Sequence, residues 1–188
     1  MVEIVVSYHS GSGHTRRLVE VFSEALVELG AVVHVANVEN FKEADWDAMR
    51  GADAHVFAAP TYMGSVSAPY KAFMDASSDI WGSADGWQGK IAAGMTVATY
   101  PSGDKLNSLM QMAVFAAQHG MIWVGLDDIG APVEPEKVGI NEDGFCLGMG
   151  ATSVHDKAQM IRASDVITAR RFAGRIYEAT ARWKRGAV

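Results

Sequence analysis

The sequence predicts an α/β fold, a mostly parallel sheet covered on both faces. Two observations lead there. Short apolar, β-branched runs alternate with longer stretches of helical period, and three loops at strand ends are rich in glycine, serine and threonine. Composition agrees: 188 residues, 49% hydrophobic and 20% charged, suit one globular domain spanning 1–188 and are too few for two ordinary ones.

The elements follow in chain order. Val2 to Ser7 is apolar and β-branched, is ended by a glycine-serine loop, and reads as a buried strand. From Thr15 the period changes: Leu18, Val21, Phe22, Ala25, Leu26 and Leu29 share one helical face, and Gly30 supplies the stop. Ala31 to Ala36 is the second strand, and Lys42 to Arg50 a weak helix. Ala54 to Ala59 is the third strand, stopping at Pro60. A helix starts near Pro69, a residue tolerated in a first turn, and turns Tyr70, Phe73 and Met74 inward. Lys90 to Thr96 is the fourth strand. Leu106, Leu109, Met110, Ala113, Val114 and Ala117 make the next helix, ended by Gly120. Met121 to Leu126 is the fifth strand. Residues 127–150 form a glycine- and proline-bearing segment longer than a compact domain usually leaves without purpose. A last helix, capped by Ser164 or Asp165, runs through Ile176.

Charge and cysteine usage exclude several classes. A formal net charge of −6 argues against nucleic acid or an anionic membrane as the main partner. Cys146 is the single cysteine, which rules out an internal disulfide and a cysteine-based metal cluster and fits a reducing compartment. No metal site is expected. The chain opens directly as a strand, without a basic segment followed by an apolar one, so a cytoplasmic protein is expected.

Open parallel sheets bind ligands outside the carboxyl ends of the strands, where strand order reverses. The informative loops are therefore Tyr8–Thr15, Pro60–Ser67 and Thr96–Asp104. The first reads Ser10-Gly11-Ser12-Gly13-His14-Thr15 and leads straight into the amphipathic helix. Hydroxyls at alternate positions, backbone N–H groups and a helix N-terminus suit a phosphate dianion without any lysine. The plainer reading is an ordinary polar turn with a serine or threonine cap. Rival phosphate motifs fail. No run matches a P-loop, and Arg16 stands where the dinucleotide fingerprint needs its third glycine. Gly11-Ser12-Gly13 is not the nucleophile elbow of a serine hydrolase. His14 reads as a structural residue rather than a catalyst. Arg16 and Arg17 oppose the dipole of their helix, fitting either attraction of an anion or a solvated face.

On these residues the chain resembles the flavodoxin superfamily, whose phosphate loop follows Thr/Ser-x-Thr/Ser-Gly-x-Thr. Within it the chain is most similar to NAD(P)H:quinone oxidoreductases of the WrbA type. The resemblance spans nearly the whole chain. It is carried by Pro60-Thr61-Tyr62-Met63-Gly64, Lys71 to Asp75 leading to Trp81, Gly89-Lys90, His119-Gly120-Met121 and Gly150-Ala151-Thr152. It implies a flavodoxin-like three-layer sandwich, with a five-stranded parallel sheet of order 2-1-3-4-5 and helices on both faces. It implies FMN as cofactor and NAD(P)H as electron donor.

Carried over by position, Ser10, Gly11, Ser12, Gly13, His14 and Thr15 hold the FMN phosphate. Pro60, Thr61, Tyr62, Met63 and Gly64 line the isoalloxazine ring. Thr96, Val97, Ala98, Thr99, Tyr100 and Gly103 reach its pyrimidine edge. Trp81 matches a tryptophan beside the substrate pocket, with a core or interface aromatic as the plainer reading, and His119 and Gln118 complete the catalytic set. Three features depart from the family pattern. A glycine run is replaced by Thr99-Tyr100-Pro101-Ser102-Gly103-Asp104, a His-His-Gly by Gln118-His119-Gly120, and the segment between the second and third strands is short. The implied function is hydride transfer from NAD(P)H to a quinone by a ping-pong mechanism, in a homodimer or homotetramer. The alternatives are a flavodoxin-type electron carrier and an FMN-dependent reductase of iron or azo compounds.

Overall fold

The computed structural model describes residues 1–186. Its strands are β1 (Glu3–Tyr8), β2 (Val32–Asn37), β3 (Ala54–Tyr62), β4 (Ser65–Val66), β5 (Ile91–Ala98), β6 (Ile122–Trp123) and β7 (Met149–Thr152). The helices are α1 (His14–Glu28), α2 (Glu43–Gly51), α3 (Ala68–Ala76), α4 (Lys105–Gln118) and α5 (Ala163–Gly186), with short 3-10 turns at Val38–Asn40 and Ser77–Asp79.

The sheet runs β2-β1-β3-β5-β6, parallel throughout, with β4 pairing β3 antiparallel and β7 pairing β5. Counting only the five expected strands, this is the order 2-1-3-4-5; the short β4 shifts the later numbers. Strands buried on both sides read as near-continuous apolar runs, and β3 and β5 do so apart from the buried His55 and Thr96. One face packs on α1 and α5 through Leu18, Phe22, Phe172 and Ile176. The other packs on α2, α3 and α4 through Met49, Tyr70, Phe73, Leu109 and Phe115.

Two strands differ from expectation. β3 runs past Pro60 to Tyr62, because β1 ends opposite Ala58 and leaves the Pro60 edge with no N–H to supply on that side. The fifth strand is split. Ile122–Trp123 pairs with Ile91–Ala92, the chain then leaves the sheet, and Met149–Thr152 returns to pair with Met95–Ala98. Residues 124–148 are thus an insertion in one edge strand. The last helix also runs ten residues beyond Ile176, to Gly186. Among the described residues no helix is long and apolar enough to cross a membrane.

Candidate functional site

The three expected loops meet at the carboxyl end of the sheet. They enclose a crevice of about 160 Å³ lined by Ser10, Gly11, Ser12, His14, Thr15, Pro60, Thr61, Tyr62, Val97, Ala98, Thr99 and Ser153. Its floor is set by the strand register, since Tyr8 lies beside Ala58 and Pro60 beside Val97.

Local chemistry shapes the first loop. Gly13 caps α1 with φ +90°, a left-handed conformation that costs other residues about 1–2 kcal/mol. The methyl end of Met160, itself at φ +65°, packs where a Cβ on Gly13 would sit, 2.5 Å away. A Cβ on Gly11 would stand 2.5 Å from Tyr62 Oη, so the tyrosine ring lies across that glycine. Ser10 Oγ accepts hydrogen bonds from the N–H groups of Gly13 and Arg16, each 3.1 Å away. These are donors at a helix N-terminus, the kind an anion's oxygen can take over. Thr15 is 1% exposed, and its Oγ1 has no hydrogen-bond partner although it lines the crevice. A buried hydroxyl is nearly always paired, so an orphan at this helix end fits a ligand that carries oxygen acceptors. The arginines stand apart from this, with Arg16 and Arg17 3.6 and 3.7 Å from Glu20.

The second loop is the tight turn of the β3–β4 hairpin. Met63 and Gly64 both have positive φ, the signature of a type I′ turn. Met63 is fully exposed, and neither residue lines the crevice. Thr61 turns its hydroxyl inward, 2.7 Å from Thr96 Oγ1 and 2.8 Å from Ser108 Oγ. Thr96 lies buried behind the wall, whereas Tyr100 and Gly103 sit in the exposed loop beyond it.

Trp81, Gln118 and His119 are elsewhere. They line a separate groove of about 520 Å³ between α3 and α4, with Met74, Met110 and Phe115. Trp81 Nε1 donates to the Gln118 carbonyl at 2.7 Å, and His119 Nε2 is 2.9 Å from Ser77 Oγ. The His119 ring packs on Trp87, and burial pushes its pKa below the ordinary histidine range. The reason is topological. α4 starts at the crevice and carries the chain to the opposite end of the sheet over 14 residues, about 21 Å. A single chain therefore does not bring Trp81 and His119 to Tyr62.

Two contributors escaped the sequence reading. Ser153 lines the crevice one residue past Gly150-Ala151-Thr152, a segment whose resemblance was the available signal. His9 is buried beneath the loops, its Nδ1 2.7 Å from Ser67 Oγ and its ring edge-on to Tyr62. It lies within the Tyr8–Thr15 loop, but its pairing with the distant Ser67 appears only in the fold. Among the described residues no group of three or more His, Cys, Asp or Glu is arranged to hold a metal.

A doubly wound sheet with a hydroxyl-lined crevice at its strand ends, together with the comparisons that follow, defines a flavodoxin-like, FMN-binding oxidoreductase class. The chain belongs to the NADPH-dependent FMN reductase family, whose sequence profile matches residues 2–129. It is 37% identical over 178 residues to Flavodoxin FldP of Pseudomonas aeruginosa, covering 94% of this chain and 95% of that one. An NAD(P)H dehydrogenase (quinone) of Archaeoglobus fulgidus is 30% identical over 148 residues, 67% of this chain and 77% of its own. The crystal structure of a flavodoxin, WrbA-like protein from Agrobacterium tumefaciens superposes with a TM-score of 0.75. It is 34% identical and covers 97% of this chain and 99% of that one.

Proposed function

We propose that this chain passes hydride from NAD(P)H to a quinone by a ping-pong mechanism, at FMN seated in the strand-end crevice. The observation that carries the reading is the orphaned, buried Thr15 hydroxyl at the N-terminus of α1. Bound there, FMN supplies the two-electron chemistry, and the protein supplies position and electrostatics. Ser10 to Thr15 hold the phosphate with hydroxyls and backbone N–H groups. Tyr62 would flank the ring, and Thr99, just past the end of β5, would offer its backbone N–H to the polar edge, where donors favour developing negative charge. No protein nucleophile is needed.

Trp81, Gln118 and His119 line the α3–α4 groove rather than the crevice, so they serve the acceptor only from a second copy of the chain. Quinone as acceptor is supported by the relationship to NAD(P)H dehydrogenases (quinone). The second reading, an electron carrier that hands electrons to a protein partner, is supported by the 37% identity to a flavodoxin. Steady-state kinetics with NADH and NADPH against a quinone panel separate the two. The enzyme reading expects parallel double-reciprocal plots and high quinone competing with NAD(P)H. Trp81→Ala is then expected to weaken quinone turnover more than FMN binding. Intersecting plots remove the ping-pong scheme, and bound FMN that neither NADH nor NADPH reduces leaves the carrier.

A further inference from the structure

Lys105 is the first residue of α4, directly after the third loop, and its side chain is fully buried. Lysine is rarely so placed unless paired. Its Nζ donates to Thr152 Oγ1 at 2.8 Å and to Asp143 Oδ2 at 3.3 Å, and lies 5.4 Å from the centre of the Phe145 ring. Thr152 Oγ1 in turn donates to Asp143 Oδ2 at 3.0 Å, and Arg162 donates to Asp143 Oδ1 at 3.0 Å. Two cations thus share one carboxylate, which comes from the insertion. The remaining charged group, Asp165, accepts from Thr152 N at 2.8 Å, and burial raises its pKa toward the neutral form.

This cluster lies immediately behind the crevice wall. Thr152 pairs with Ala98 and precedes Ser153, and both of those residues line the crevice. Among the described residues no lysine or arginine lines the crevice itself. We infer that Lys105 is a positioning charge that biases the crevice toward reduced, anionic FMN, and that Asp143 of the insertion opposes it. The inference rests on the function proposed above. Across about 10 Å and an effective dielectric of about 20, one unit charge shifts an equilibrium on the order of tenfold.

The test is the FMN dissociation constant and two-electron midpoint potential of wild type, Lys105→Met and Asp143→Asn. Burial lowers the Lys105 pKa while Asp143 counters it, so the titrations are run at pH 6, on the acid side. Lys105→Met is expected to weaken reduced FMN about tenfold more than oxidised FMN, lowering the potential by about 30 mV. Asp143→Asn is expected to raise it. Both variants break the same ion pair, so a lysine that only anchors the insertion moves both potentials the same way or neither. That result overturns the inference. If Lys105→Met does not fold, the sign of the Asp143→Asn shift decides: a rise supports the inference, and no rise overturns it. A wild-type chain that binds no FMN overturns the reading and the inference together. FMN binding with unmoved potentials overturns the inference alone.

Discussion

Thr15 shows how much one side chain can reveal. Its hydroxyl is buried and unpaired in the free chain, a state that costs about 1–3 kcal/mol. Thr15→Val keeps the shape and removes the orphan, so the FMN-free protein is expected to melt at the same or a higher temperature. FMN affinity is expected to fall about ten- to a hundredfold, since a hydrogen bond to a charged group contributes roughly 1.5–3 kcal/mol. Riboflavin, which has no phosphate, should bind both forms alike by fluorescence quenching. Equal losses for the two ligands would contradict the assigned role. The place of the first loop in the crevice was legible because its chemistry is local: a glycine, alternating hydroxyls and a helix start within six residues. Ser153 was not, because it reaches the site from far along the chain, and the role of His9 was not, because its partner Ser67 is brought to it only by the fold.

At the scale of elements, periodicity found the buried face of α1 but not that of α4, where Leu106, Met110, Val114 and Ala117 are exposed and Leu109, Met112, Phe115 and Ala116 face the sheet, because apolar residues stand on both sides of that helix. The face of α1 that buries Leu18, Phe22 and Leu26 meets α5, and Phe22 lies 5.9 Å from Phe172 between ring centres. Both rings are fully buried, so Phe172→Ala should cost about 3–5 kcal/mol, read as a lower denaturant midpoint with the slope kept. Little or no loss would mean that the α1–α5 seam can collapse around the cavity. Leu29 is the exception on that face; it caps the helix and is 44% exposed. The element scale also explains the separation of Trp81, Gln118 and His119 from the crevice. Motif order along a sequence carries no information on which end of a helix faces which end of a sheet, and α4 traverses the whole layer.

For the whole molecule, the α3–α4 groove exposes Trp81, Met110 and Val114, a surface that a second copy is expected to cover. Light scattering should therefore give a mass at least twice the 20.2 kDa of one chain. A monomer at working concentration would remove the role given to Trp81 and His119. Parallel layering could be read from the alternation of periods and strand order from the family resemblance, but the split edge strand could not. Its two halves pair with β5 independently, and nothing in the stretch between them signals a return. That split has a consequence for how the fold tolerates change in evolution. Trp123 sits beside Ala92 and Met149 beside Met95, so two positions of β5, Ala93 and Gly94, lie opposite the break. Val124 and Gly148 are just enough to span them, and joining the two directly would restore one continuous strand in register. Residues 125–147 are in that sense a clause set inside the strand, tied to the sentence around it by Leu126 in the core and by Asp128 against Arg171. The same clause carries Asp143, and with it a counter-ion of Lys105.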